Sequence, residues 1–262
     1  MNSGVLLLDA GNTRLKWAVV DSTRAQTKSS EAGLSDSAMW LGQGAADYRE
    51  LPPLLEQWQQ WGILSRCYGV RVASEASIAS LERLLSSIKL EVHWMDARQR
   101  AGGVHNAYQP PHSLGADRWA ALLAVRQRTT DNALVVSAGT ALTVDALDAS
   151  GHFLGGLILP GLHRMRYALE HDTAQIGMQY GKYENFPTNT ADAVESGLIS
   201  ACTGAINTMR AHLEKKCAKQ PHIYLTGGDG ASLRFFLPAD LSLVPALVLE
   251  GVYYLSLEEQ TQ

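Results

Sequence analysis

The chain has 262 residues, 46% of them hydrophobic, with a net charge of −4 and a pI near 6.1. That length suits one large domain or two compact ones, and the apolar content indicates a filled core rather than disorder. The mild acidity excludes a bulk nucleic-acid binder, which would carry a basic face, but leaves room for a local positive pocket. Three cysteines, Cys67, Cys202 and Cys217, form no Cys-x-x-Cys pair and no closed disulfide framework, as suits a reducing cytoplasm. No apolar run approaches the roughly 18 residues of a membrane span. The N-terminus lacks the features of a signal peptide, with Asp9 interrupting the first apolar run. A cytoplasmic protein with no membrane or nucleic-acid partner is expected.

In chain order, Val5–Asp9 and Leu15–Val20 read as two strands around an Asn12-Thr13 turn. Residues 22 to 51 are polar, rich in small side chains and without a period. Pro52-Pro53 opens a helix through Trp61. A short strand over Arg66–Ala73 precedes a helix over Ser77–Ile88, with Ile78, Leu81, Leu84, Leu85 and Ile88 on one face and Ser74 or Ser77 as its cap. Leu90–Met95 is again strand-like. Gly102 to Pro111 reads as a loop with polar and aromatic residues, leading into a helix from Gly115 to Arg128.

Leu134–Val136 and Ala141–Ala146 form a second hairpin, and Phe153–Leu159 is a further strand ending at Pro160-Gly161. Leu162–Gln175 is helical. The longest helix follows Pro187, capped by Asn189 or Thr190 and ending near Lys215 and Lys216. Its stripe of Val194, Leu198, Cys202, Ile206, Met209 and Leu213 suits either a core face or a subunit interface. His222–Thr226 is a strand stopped by Gly227-Gly228-Asp229-Gly230. A short helix, a strand near Leu243 and a helix over Leu247–Leu257 complete the order.

The two hairpins echo one another about half a chain apart. Leu6 to Lys16 reads Leu-Leu-Leu-Asp-Ala-Gly-Asn-Thr-Arg-Leu-Lys; Leu134 to Thr140 reads Leu-Val-Val-Ser-Ala-Gly-Thr. Each buried strand ends in a small polar turn whose backbone N–H groups suit phosphate, and each leads to a second apolar stretch ending in an acid, Asp21 and Asp145. Such an echo marks a duplicated domain, and alternating strands and helices give two α/β lobes, expected at residues 1–115 and 116–262. Asp9, at a strand end, is placed to approach a phosphate-bound metal directly or through water. Thr13 and Thr140 offer hydroxyls, Gly11 and Gly139 close backbone approach, and Lys16 a charge toward phosphate. Gly227 to Gly230 suits either a nucleotide's base or ribose, or a plain strand-to-helix connection.

Asp117 is the most telling acid. It stands in Leu114-Gly115-Ala116-Asp117-Arg118 in a first helical turn. The helix dipole favours its ionised form, as a base accepting a proton from an alcohol requires; an ordinary first-turn acid is the plainer alternative. Arg118 suits a substrate carboxylate, and Tyr108 can offer a hydroxyl to the same ligand.

Gly103-Val104-His105-Asn106-Ala107-Tyr108, then Pro111, then Leu114 to Arg118, resembles the signature of type III pantothenate kinases, a similarity extending to the family called Bvg accessory factors. Asp9-Ala10-Gly11-Asn12-Thr13 with Lys16 is similar to that family's first phosphate motif, and Gly139-Thr140-Ala141 with Thr143 and Asp145 to its second. Gly155-Gly156, Pro160-Gly161 and Gly227-Gly228 follow in the expected order.

The resemblance implies a duplicated ribonuclease-H-like fold, shared with acetate and sugar kinases, actin and chaperone ATPases. The reaction it implies is ATP-dependent phosphorylation of pantothenate, the first step of coenzyme A synthesis. Asp117 takes the role of proton acceptor. Asp9, Ala10, Gly11, Asn12, Thr13, Arg14, Leu15 and Lys16 form the ATP-phosphate segment, with Thr140 a further ATP contact and Asp9 near magnesium. Tyr108, Gly115, Ala116, Asp117 and Arg118 contact pantothenate, and Thr190 does so across a homodimer interface. The family also uses a monovalent cation, potassium or ammonium, held by an aspartate in many members. This chain has Ser137 at that position, which puts the cation site in question and gives weight to an alternative: a regulatory protein that retains the fold without efficient catalysis.

Overall fold

The computed structural model describes residues 3–21, 40–172 and 180–259. The chain falls into two compact units: residues 1–130 with 246–262, and residues 131–245.

The first unit is built on β1 (Ser3–Ala10), β2 (Leu15–Asp21), β3 (Gly42–Ala46), β4 (Ile63–Arg71) and β5 (Val92–Trp94). Their order across the sheet is β3-β2-β1-β4-β5. β1 and β2 are antiparallel, as are β2 and β3, while β1–β4 and β4–β5 are parallel. The near-continuous apolar run of β1 follows from burial on both faces, as expected for a central strand. Leu6, Leu8 and Ala10 point into a core with α1 (Pro53–Gln59) and α2 (Glu75–Ser86), through Leu54, Trp58, Ile78, Leu81 and Leu85. Trp17 and Trp58 meet edge to face there, 6.1 Å between ring centroids. The alternate residues Val5, Leu7 and Asp9 face the other way, the side on which α3 (Ala116–Arg128) and α7 (Leu247–Glu259) lie. Ser74, not Ser77, caps α2, its hydroxyl accepting the Ser77 N–H.

α3 and α7 cross closely. A Cβ on Gly251 would stand 1.9 Å from the Ala120 carbonyl oxygen, so only glycine permits this backbone approach. Glu250, 2% exposed, takes two hydrogen bonds from the Arg128 guanidinium at 2.7 and 2.9 Å. This pairing draws the C-terminal helix into the first unit. The compact units therefore divide differently from the expected boundary between residues 115 and 116: α3 stays with the N-terminal sheet, and α7 returns to it.

The second unit repeats the plan. β8 (Ala133–Ala138), β9 (Ala141–Leu147), β10 (His152–Pro160), β11 (His222–Thr226) and β12 (Ser242–Leu243) lie in the order β12-β11-β8-β9-β10. β8–β9 and β9–β10 are antiparallel, β8–β11 and β11–β12 parallel. Strand for strand this is the arrangement of the first sheet, so the half-chain echo is a duplication of the ribonuclease-H-like sheet. α4 (Leu162–Asp172), α5 (Thr190–Cys217) and the short α6 (Gly230–Leu233) accompany it; the last residues of the helix expected to Gln175 lie outside the described residues. α5 is capped by the Asn189 side chain, which accepts the Asp192 N–H. The C-terminal part of its stripe is core: Cys202, Ile206 and Leu213 are buried among Leu134, Val136, Val144, Ile223 and Leu225, with Met209 against them, while Val194, near its start, is half-buried.

Two stretches differ from the sequence expectation. β3 lies in the region with no readable period, because its Gly-Gln-Gly-Ala-Ala sequence is an edge strand without an apolar face. The expected loop from Gly102 instead starts within a small hairpin, β6 (Arg100–Ala101) and β7 (Val104–Asn106), antiparallel to one another. Its turn residues Gly102 and Gly103 have φ of +53° and +78°, a conformation glycine adopts at no steric cost.

Candidate active site

The first turn, expected to face phosphate, is the four-residue link Gly11–Arg14 between β1 and β2. Asn12, Thr13 and Arg14 are exposed, while the flanking Ala10 and Leu15 are fully buried. Those two side chains belong to the core, so within the expected ATP segment only their backbone is available to a ligand. The Ala10 carbonyl accepts both the Val72 and Ala73 N–H groups at 3.0 Å, which ties the end of β1 to the end of β4.

Asp9 is the penultimate residue of β1 and only 6% exposed. The antiparallel register sets it opposite Lys16, whose ammonium lies 3.3 Å from its carboxylate and is 39% exposed. Burial nonetheless raises the Asp9 pKa, against the lowering effect of Lys16, and the negative charge of Asp117 raises it further. Strand alternation explains the last effect: Asp9 sits on the face covered by α3, and Asp117 lies in the first turn of α3. Burial and the Asp117 carboxylate thus act against Lys16 at Asp9, disfavouring its charged form until a cation lies beside it.

Asp117 is held by its own helix. Gly115, the residue before α3, offers no side-chain cap; Asp117 Oδ1 instead accepts the Arg118 N–H at 2.8 Å. Gly115 also leaves space for that carboxylate, since a Cβ there would stand 2.8 Å from Oδ1. Arg118 is 6% exposed. Its Nη1 donates to the Tyr108 hydroxyl at 3.1 Å, and its guanidinium centre is 5.6 Å from the Tyr108 ring centroid. The structure thus brings together Asp9, Lys16 and Asp117, and joins Tyr108 to Arg118.

Sequence reading missed the residue that shapes the Tyr108 loop. Asn106 is 4% exposed; its amide donates to the carbonyls of Arg98 and Pro111, and its oxygen accepts the Tyr108 N–H at 3.0 Å. A buried side chain that bonds three separated backbone groups fixes the path of the loop. The clue was available, since Asn106 lies inside the signature block. Tyr48 was also missed, its hydroxyl donating to the Gly11 carbonyl at 2.9 Å. Nothing local in the sequence marks it.

The second turn, in the second unit, is the shorter Gly139–Thr140. Where the first turn pairs Asp9 with Lys16, the register here pairs Ser137 with Thr143, hydroxyl opposite hydroxyl. Space around Gly139 is open: a Cβ there would have no neighbour within 4 Å. Two other glycines close on the turn: a Cβ on Gly161 would be 1.9 Å from the Gly139 oxygen, and one on Gly227 would be 2.1 Å from the Ala138 oxygen. The Asp229 N–H also donates to that Ala138 oxygen. Gly227 therefore serves close chain packing, while Gly228 is exposed, and a Cβ on it would meet nothing within 4 Å. Thr190 is the first residue of α5 and exposed. Among the described residues no group of three or more His, Cys, Asp or Glu side chains could hold a metal by itself, and no helix is long and apolar enough to cross a membrane.

A sequence model of type III pantothenate kinases matches residues 5–212. The chain belongs to the type III pantothenate kinase family. A type III pantothenate kinase from Nitrosospira multiformis is 38% identical over 258 residues, covering 98% of this chain and 93% of that protein. One from Thiobacillus denitrificans is 38% identical over 247 residues, covering 94% of each. In three dimensions, a Baf family transcriptional activator from Campylobacter jejuni superposes with a TM-score of 0.58 at 20% identity, covering 98% of this chain and 100% of that one, which speaks for the fold alone. For a type III pantothenate kinase, the signature from Gly103 to Arg118 has a physical counterpart in the Asn106-shaped loop and the first turn of α3.

Proposed function

We infer that this chain carries out its family's reaction, ATP-dependent phosphorylation of pantothenate at the entry to coenzyme A synthesis, with Asp117 as the proton acceptor. The observation that carries the assignment is the convergence of Asp9, Lys16 and Asp117 within one unit, joined to a Tyr108–Arg118 pair by the same helix turn. In this reading Asp117 takes the proton of the pantothenate primary hydroxyl. The oxygen then attacks the γ-phosphorus of ATP, the bond to the β-phosphate oxygen breaks, and ADP leaves. Phosphoryl transfer asks chiefly for positioning and charge neutralisation. The exposed turn Asn12–Arg14 and Lys16 supply these on the phosphate side.

ATP use by this family implies a divalent metal, and Asp9, a buried carboxylate whose charged form burial and Asp117 disfavour, is a hard oxygen donor that suits magnesium. Asp9 would hold it, directly or through water, and the ion would neutralise phosphate charge. On the acceptor side Arg118 and Tyr108 match the carboxylate and hydroxyls of pantothenate. The dimer, with Thr190 reaching a neighbouring subunit's substrate, rests on the resemblance and on the exposure of Thr190 at the head of α5; the part of the α5 stripe from Cys202 to Leu213, being core, does not bear on it. Activation by potassium or ammonium is likewise part of the proposal, with Ser137 and Thr143 offering neutral oxygens.

The decisive test is Asp117→Asn, which keeps Oδ1 as acceptor for the Arg118 N–H and removes the base. Turnover with magnesium–ATP and pantothenate is expected to fall at least about 100-fold, with ATP binding by calorimetry retained. Undiminished turnover would remove Asp117 from the mechanism.

A further inference from the structure

The segment that follows β3 bears on the first phosphate turn from the side. β3 is registered so that Ala46 lies opposite Leu15. The next residues, Asp47 and Tyr48, therefore run alongside Arg14 and the turn. Asp47 caps a short 3₁₀ turn by accepting the Arg49 N–H, is gripped by the Arg49 guanidinium at 2.8 and 3.0 Å, and also feels the charge of Arg14. Tyr48, its ring against the first core, sends its hydroxyl 2.9 Å to the Gly11 carbonyl.

That bond has a directional consequence. In a trans peptide the C=O of one residue and the N–H of the next point in opposite directions. The Gly11–Asn12 bond is trans, the cis bond among the described residues being Gln109–Pro110. Holding the Gly11 carbonyl toward Tyr48 therefore turns the Asn12 N–H away from Tyr48. Asn12 is exposed, and among the described residues its N–H finds no backbone acceptor. An amide fixed in direction and left open is what a phosphate oxygen requires of a turn.

We propose that Tyr48 is a positioning residue for ATP: by anchoring the Gly11 carbonyl it presets the Asn12 N–H toward the phosphates. The proposal rests on the reading that the first turn binds ATP phosphate, and the two can fail separately. Tyr48→Phe keeps the ring and its packing and removes only the donor. Steady-state kinetics with magnesium–ATP and pantothenate should show KM for ATP raised roughly five-fold, the effect of one lost hydrogen bond. KM for pantothenate should stay within about two-fold, and the melting temperature should fall by no more than about 2–4 °C, the share of that one bond. Lys16→Met serves as the reference. If Lys16→Met raises the ATP KM and Tyr48→Phe does not, the Tyr48 role is overturned while the turn remains the phosphate site. If Lys16→Met leaves the ATP KM unchanged, the first-turn reading itself fails and takes the proposal with it. A Tyr48→Phe protein in which both KM values rise alike and the melting temperature falls well beyond that range would also overturn it, because that pattern marks a general packing residue.

Discussion

Gly115→Ala separates the placement of the Asp117 carboxylate from its chemistry. The glycine has φ −55° and ψ 133°, which alanine adopts without strain. The new methyl would lie 2.8 Å from Asp117 Oδ1, against an ordinary contact of at least 3.4 Å, so the oxygen must retreat by about 0.6 Å. The next nearest atom, Arg118 Cδ at 3.9 Å, needs no adjustment. Retreat weakens the 2.8 Å bond from the Arg118 N–H, costing about 1 kcal/mol, and alanine is also a poorer helix cap than glycine. The melting temperature should fall by only about 2–4 °C. Catalysis is more sensitive: a displacement of about 1 Å can cost around 100-fold, so 0.6 Å is expected to lower kcat about 10-fold. The assay is kcat and both KM values, with thermal unfolding monitored by circular dichroism. A kcat within about two-fold of the parent would refute the argument that Gly115 makes room for the base. A change confined to KM for pantothenate would mean that Gly115 serves the substrate rather than Asp117.

Two further perturbations test the frame around the site. Ser137→Asp restores a carboxylate at the second turn and should lower the potassium or ammonium concentration for half-activation about 10-fold, equivalent to ~1.4 kcal/mol of added attraction; an unchanged activation curve would place any cation elsewhere. Gly251→Ala sets a methyl 1.9 Å from the Ala120 oxygen, forcing α3 and α7 apart at a cost of about 3 kcal/mol or more, which calorimetry would register as a fall in melting temperature of roughly 6–12 °C.

Chemistry confined to a few consecutive residues was legible in the sequence. The strand ending at Asp9, its echo ending at Ser137, the helix opening at Gly115 and the capped start of α5 each depend on local periodicity, turn residues and backbone hydrogen bonding. These features need no distant partner. The signature block from Gly103 to Arg118 could be read for the same reason, although its internal hairpin and the role of Asn106 could not, since that side chain is defined by carbonyls on either side of it.

Tertiary structure decided what depends on meeting across the chain. Strand alternation puts Asp9 on the face where α3 carries Asp117. The register of β3 delivers Tyr48 to a carbonyl 37 residues away. The stripe on α5 is equally suited to a core or an interface as a sequence; from Cys202 to Leu213 it is core because β8, β9 and β11 supply its apolar partners. The unit boundary moved because Gly251 and Glu250 fit α7 to α3, a complementarity of backbone and charge between segments far apart in the chain. A residue's own neighbours in the chain set its propensity and its chemistry. Which other residue lies against it is set by the packing of whole elements.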